Sequence, residues 1–205
     1  MLRRPLRTLG TASGVASAVS LMIIAGTFRD SMMQAIAESL DDFRRYDITI
    51  AFVPERSANI VNTIRNWPGV RWAEGTLDIP VRARHHGLSK DTVAMGFAYD
   101  SRLRVLRDMS GRQMVPGPGE ALFSNVLARR IATEPGDTIR LDYSQNIRGR
   151  SASAVLKVGP RLRLMVALPV YMEMEDLRRR FARRLLMPPD AVTGAVVAVE
   201  PGYAQ

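Results

Sequence analysis

The stretch T-L-G-T-A-S-G-V-A-S-A-V-S-L-M-I-I-A-G-T-F, residues 8–28, decides how the rest of this chain is read, because it carries no charge and is bounded by Arg7 and Arg29. Coiled as a helix, an uncharged run of about 20 residues matches the hydrocarbon thickness of a bilayer, which predicts a transmembrane helix over 8–28. Leu9, Val15, Val19, Leu21, Ile23, Ile24 and Phe28 favour insertion by about 2 to 4 kcal/mol in total, and Thr8, Thr11, Ser13, Ser17, Ser20 and Thr27 erode that gain. Gly10, Gly14 and Ala18 recur every four positions and so share one helix face, where a neighbouring helix could pack closely. A lone anchor has no need of such a face.

Arg3, Arg4 and Arg7 ahead of an apolar stretch also resemble the start of a secretory signal peptide. Two features weigh against cleavage. The span is longer than a signal's apolar region, and the A-x-A at 35–37 lies beyond Arg29 and Asp30. The arginines before the span place residues 1–7 in the cytoplasm. Beyond it, Met32, Met33, Ile36, Ala37 and Leu40 keep helical spacing as far as Asp41 and Asp42, which predicts a helical stalk over 29–45.

With 205 residues, one soluble domain at 46–205 is all that remains. A composition 46% apolar and 24% charged excludes a disordered or fibrous chain, and no internal repeat is present. The absence of cysteine excludes disulfides, a thiolate nucleophile and cysteine-based metal sites. The formal charge is +9, and every cationic residue except Lys90 and Lys157 is arginine. Such charge would suit nucleic acid or anionic headgroups, but it lacks interleaved aromatics, so a solvated surface and no nucleic-acid partner are expected.

Within 46–205 the periodicity changes. Residues 47–53, D-I-T-I-A-F-V, alternate and are β-branched, as a strand requires; Ser57 is placed to cap a helix to Arg65, and Pro68-Gly69 turns the chain. Further strands are expected at 70–74, 77–84 and 92–99, with His85-His86-Gly87 at an exposed hairpin tip. Asp100 or Ser101 would cap a short helix carrying Leu103, Val105 and Leu106, and 111–119 would be loop. A strand at 121–123, a helix capped by Ser124 running to Ile131, a turn at 135–137 and a strand at 138–142 follow. After a polar, basic loop at 143–153 come strands at 154–158 and 162–168, a helix over 174–186 and a last strand at 195–200. Short strands mixed with short helices make this an α+β domain, in one or two subdomains.

Chemistry is sparse. Adjacent strand residues point to opposite faces, so His85 and His86 make a poor chelating pair. Glu173, Glu175 and Asp176 stand at a helix start, where the helix dipole accounts for them without a metal. Gly117-Pro118-Gly119-Glu120 cannot cradle a phosphate because proline lacks the N–H, and no Walker motif occurs. The arginines over 178–184 have Phe181 as their sole aromatic neighbour and read as a solvated helix face. Neither an enzyme nor a cofactor or metal requirement is expected.

The order of these motifs resembles the FtsX-like permease family with its MacB-type periplasmic core domain, over nearly the whole chain. R-R-P-L-R-T-L-G at 3–10 looks like the approach to the first membrane helix, and Tyr46-Asp47 with its strand looks like the start of the core. W-P-G-V (67–70), I-P-V-R (79–82) and G-F-A-Y-D-S-R-L (96–103) follow in the family's order. So do P-G-P-G-E-A-L-F-S (116–124), P-G-D-T-I-R-L (135–141) and V-Y-M-E-M-E-D-L-R-R (170–179).

The resemblance implies a permease subunit of an FtsX/MacB/LolE-type ABC transporter in the cell inner membrane. Its main domain would be periplasmic, and its partners would be the bilayer, a separate cytoplasmic ABC ATPase subunit, and other permease helices or a second permease copy. Family members carry further helices after the core, so the chain is expected to be a fragment or truncated product. The alternative is a single-pass anchored extracytoplasmic binding or adaptor domain without transport activity.

Overall fold

The computed structural model describes residues 5–41, 45–145, 151–164 and 169–202, with side chains of the first helix described over 13–31. The chain divides into two units, Met1–Leu40 and Asp41–Gln205.

The first unit is helix α1 (Pro5–Asp41), unbroken through the sequence expected to span and through the start of the expected stalk. Leucine, isoleucine, valine and alanine at successive turns hold it helical, and Thr27 returns its hydroxyl to the carbonyls of Ile23 and Ile24, a bond a helix interior tolerates. Val15, Val19, Leu21, Met22, Ile23, Ile24 and Phe28 are all exposed, so apolar surface lies on every side. Among the described residues no helix is long and apolar enough to cross a membrane. Part of the expected span, residues 8–12, has side chains outside the described set, as do Met32, Met33, Ile36, Ala37 and Leu40.

The second unit is α+β, with short helices among many strands. Its smaller sheet has the order β1 (Ile48–Ser57), β11 (Ala191–Val199), β2 (Val70–Thr76), all antiparallel. Helix α2 (Asn59–Arg65) covers one face by burying Val61 and Ile64 against Ala73, Val192, Ala195 and Val197. The central strand β11 is buried on both faces, which explains its largely apolar sequence A-V-T-G-A-V-V-A-V.

The larger sheet is a closed six-stranded barrel of β10 (Val170–Glu173), β4 (Leu88–Phe97), β3 (Asp78–His85), β8 (Thr138–Tyr143), β9 (Ser153–Leu162) and β7 (Glu120–Ser124). Two of its pairings, β10 with β4 and β7 with β9, are parallel. Leu77, Ile79, Val81, Phe123, Ile139, Leu141, Leu156 and Val170 fill its core. Helix α3 (Asn125–Arg130), α4 (Met174–Leu177) and the π-helical turn Arg178–Ala182 add Leu127, Leu177 and Phe181 to the same core. The small hairpin β5 (Leu106–Arg107) with β6 (Gln113–Met114) lies outside the barrel.

Several sequence expectations are corrected. Residues 101–106 form no helix: the Ser101 hydroxyl and the Arg102 and Leu103 amides all donate to the Glu74 carboxylate, which pins them in an irregular turn. The expected loop at 111–119 contains β6, and the strand expected at 195–200 begins at Ala191. Ser57 ends β1 and stands one residue ahead of Ala58, the N-cap of α2; its hydroxyl accepts the Asn59 amide at 3.4 Å and donates at 2.5 Å to Asp190, whose carboxylate also takes the Ala58 amide at 3.1 Å. The expected strand at 162–168 is not a strand at 163–164, where β9 has already ended, and its remainder at 165–168 lies outside the described residues. The helix from Met174 changes to π geometry at Arg178. Of the expected loop at 143–153, residues 146–150 lie outside the described set. Ser124 does cap α3, accepting the Leu127 amide at 3.2 Å.

Candidate functional site: a cleft between the small sheet and the barrel

Within the second unit, a cleft of about 470 Å³ opens between α2 and β2 on one side and the end of β4 with the start of α4 on the other. Binding sites favour such seams, because two independently packed surfaces supply walls that a single sheet cannot.

Its walls are set by two residues. Glu74, on β2, accepts hydrogen bonds from Trp72 Nε1 at 3.1 Å, Ser101 Oγ at 2.7 Å, Arg102 N at 2.6 Å and Leu103 N at 3.1 Å. One carboxylate thus ties the small sheet to the segment leaving the barrel. Trp72 packs against two guanidiniums, with Arg65 5.1 Å and Arg102 4.7 Å from its ring centroid, and Arg65 is further fixed by donating to the Ala73 carbonyl at 2.8 Å. The opposite wall carries Arg178, held at 2.5 Å by Glu175. Arg178 Nε and Glu173 Oε2, of two residues that line the cleft, are buried without a protein partner. Tyr99, 85% exposed, stands at its rim.

Behind the cleft, Arg104 is buried, donates to the Gly96 carbonyl at 3.0 Å and lies over Phe97 at 5.5 Å. Burial pushes the nearby Asp78 carboxyl above the ordinary carboxylate range, and the Arg104 charge only partly opposes this. The lining offers carboxylates at Glu74, Glu173 and Glu175 and guanidiniums at Arg65 and Arg178, groups suited to recognising a polar occupant. Among the described residues no cluster of three metal-ligating side chains occurs.

The residues singled out from sequence lie elsewhere. Gly10, Gly14 and Ala18 are on α1; Gly14 and Ala18 are exposed, and a Cβ added at Gly14 would meet nothing within 4 Å. His86 takes the hairpin turn with φ +44, but His85 is buried, correcting the exposed tip expected for both. Its Nδ1 lies 3.2 Å from the Ile131 carbonyl and its Nε2 3.4 Å from Asp137. Asp176 is buried and accepts from Gly119 N, Arg179 and Arg180, while Glu173 faces the cleft, a role the sequence does not disclose. The arginines at 178–184 are more engaged than a solvated face: Arg180 and Arg184 donate to the Val155 and Ser153 carbonyls.

No family model and no curated protein matches this sequence. Among solved structures, the extracellular domain of the ABC-type transporter YknZ from Gram-positive bacteria aligns with a TM-score of 0.52 at 15% identity, covering 76% of this chain and 86% of that one. The fold is that of an ABC-transporter extracellular domain. The periplasmic region of MacB from Actinobacillus actinomycetemcomitans aligns with a TM-score of 0.48 at 10% identity, over 82% of this chain and 81% of that one. In this fold the cleft lies where β2 and α2 of the small sheet meet the barrel's β4 and α4.

Proposed function

We propose that the chain is a permease subunit, or a portion of one, of an FtsX/MacB/LolE-type ABC transporter. The observation that carries this reading is the likeness of its α+β unit to a transporter's extracellular domain. The uncharged sequence at 8–28 and the order of motifs from 3–10 to 170–179 support it. Residues 8–28 cross the inner membrane with residues 1–7 in the cytoplasm, 29–45 form the stalk and 46–205 lie in the periplasm. Gly10, Gly14 and Ala18 pack against other permease helices or a second copy, and a separate cytoplasmic ATPase drives the assembly.

Two measurements test it. After ultracentrifugation of lysed cells, the native chain is expected in the membrane pellet; recovery in the soluble fraction overturns the reading. Purified in mild detergent, it is expected to bring an ATPase or a second permease with it. A membrane-bound chain that brings neither would favour the second reading, an anchored extracytoplasmic binding domain, which the cleft with its unpartnered Glu173 and Arg178 atoms would serve.

A further inference from the structure

We propose that Arg84 and Arg140, on the outer face of the barrel, form a binding site for a phosphate group. The argument starts from register. Ser89 of β4 pairs with Arg84 of β3, Arg84 with Arg140 of β8, and Arg140 with Val155 of β9. Directly paired residues point to the same side of a sheet, so these four side chains form one row across four strands, and all four are exposed.

Two like charges in opposed positions destabilise a sheet unless something else holds them there. Asp142, the next outward residue of β8, takes Arg140 Nε on one oxygen at 2.7 Å and Arg84 Nε on the other at 2.9 Å. One carboxylate balances one guanidinium, so the pair keeps a surplus positive charge. Asp142 also uses only the Nε donors. Among the described residues the Nη groups have no protein partner, and the two side chains stay 55% and 61% exposed.

The neighbouring row differs. Arg82 presents both Nε and Nη2 to the two oxygens of Asp91, at 2.7 and 3.1 Å, and its charge is balanced. Arg180 reaches the same flank with its Nη1 on the Val155 carbonyl, and it shares Asp176 with Arg179. Arg84 and Arg140 therefore share a single carboxylate, Asp91 beside them being taken by Arg82.

Beside them is a depression of about 450 Å³, lined also by Ser89, Thr138, Leu88 and Val155. Asp142 already provides what two carboxylate oxygens can. Nη donors from neighbouring strands suit a tetrahedral group with three or more acceptor oxygens, which is the shape of a phosphate. The hydroxyls of Ser89 and Thr138 add donors. Leu88 and Val155, 46% and 57% exposed, offer an apolar shelf to the alkyl part of a phosphate ester.

The full chain in neutral detergent is titrated with inorganic phosphate and, separately, with dihexanoyl-phosphatidylglycerol, while the arginine Nε–Hε resonances are followed by NMR. Both ligands are expected to shift the Arg84 and Arg140 signals. Arg84→Gln and Arg140→Gln should each weaken binding about tenfold or more, as loss of a charge-assisted contact predicts. Arg82→Gln, which removes the same charge from the same face, should change it by less than about twofold, because that charge is already balanced at the surface. Tighter binding of the phosphatidylglycerol, with shifts of the Leu88 and Val155 methyls, identifies a lipid headgroup as the source; equal binding identifies soluble phosphate. Absence of any shift with either ligand, or an Arg82→Gln loss as large as that of Arg84→Gln, overturns the proposal. Thermal unfolding of each variant confirms that it is folded.

Discussion

Asp176 accepts the backbone N–H of Gly119 at 3.0 Å, a bond between residues 57 apart in sequence, and with the same oxygen takes Arg180 Nε at 2.8 Å. The bond locks the first turn of α4 to the loop that enters β7, where Gly119 has φ +76. Asp176→Ala leaves that amide and two guanidiniums without their acceptor. It should cost about 2 kcal/mol, seen as a lower denaturant midpoint at unchanged slope. Asp176→Asn, which keeps one oxygen acceptor, should lose less.

Glu74 holds the cleft wall through four donors. Glu74→Gln retains a single acceptor oxygen and should cost about 1 to 3 kcal/mol. Trp67→Phe leaves Trp72 as the only indole. In that background, Glu74→Gln should shift the emission of Trp72 to longer wavelength as the 101–103 segment loosens.

Asp78 binds its proton more tightly in the native state than in the unfolded chain, because burial disfavours its charge. A carboxyl shifted in that sense makes the native state the better proton binder, so stability falls as pH rises from the ordinary carboxylate range through the native value. Asp78→Asn removes the buried charge. It should stabilise the protein at neutral pH and have little effect in acid, measured by denaturation midpoints across the pH range.

Asp108 shows the opposite shift. The Ser110 hydroxyl first, and then the Arg112 amide and guanidinium and the Ser110 amide, hold its carboxyl at about 2 against the opposing effect of burial. Its stabilising contribution is complete above the ordinary carboxylate range and disappears as pH falls from about 4 to about 2. Asp108→Asn should therefore unfold more readily at neutral pH and match the wild type once pH is below about 2.

Gly194 of β11 pairs with Ala51 of β1 and Thr76 of β2, and a Cβ there would stand 2.5 Å from the Ile50 carbonyl oxygen and 2.9 Å from Thr76 Oγ1. Backbone cannot yield as a side-chain tip can. Gly194→Ala should cost about 1 to 3 kcal/mol, the usual range for overpacking, whereas Gly14→Ala, which meets open space, should be tolerated in the isolated chain. Thermal unfolding of the two variants makes the comparison.

What the sequence disclosed was local. The strand readings over 47–53, 77–84 and 138–142 located β1, β3 and β8, and Ser124 announced its helix through its own side chain. The closed barrel was illegible, because the pairing of 170–173 with 94–97 and 121–123 joins segments far apart, and four residues ahead of an acidic helix start carry no alternation of their own. Leu103, Val105 and Leu106 suggested a helix, yet the Glu74 carboxylate settled their conformation from another strand. His85 could not be told from His86 by type; burial against Ile131 and Asp137 separates them. The cleft was hidden for the same reason, since Arg65, Trp72, Tyr99, Glu173 and Arg178 converge only after both sheets have formed.

Strands β10 and β11 follow all of their partner strands in sequence, and both fill gaps: β10 stands between β4 and β7, and β11 between β1 and β2. During synthesis, everything up to residue 169 can leave the ribosome while the barrel is still an open sheet and the two outer strands of the small sheet have nothing to bridge them. A nascent chain stalled there exposes one edge each of β4 and β7 and both edges of β1 and β2, each able to recruit a stray strand. Residues 170–199 therefore decide when this domain stops being sticky, and until both strands have paired it depends on a chaperone or on the speed of that pairing.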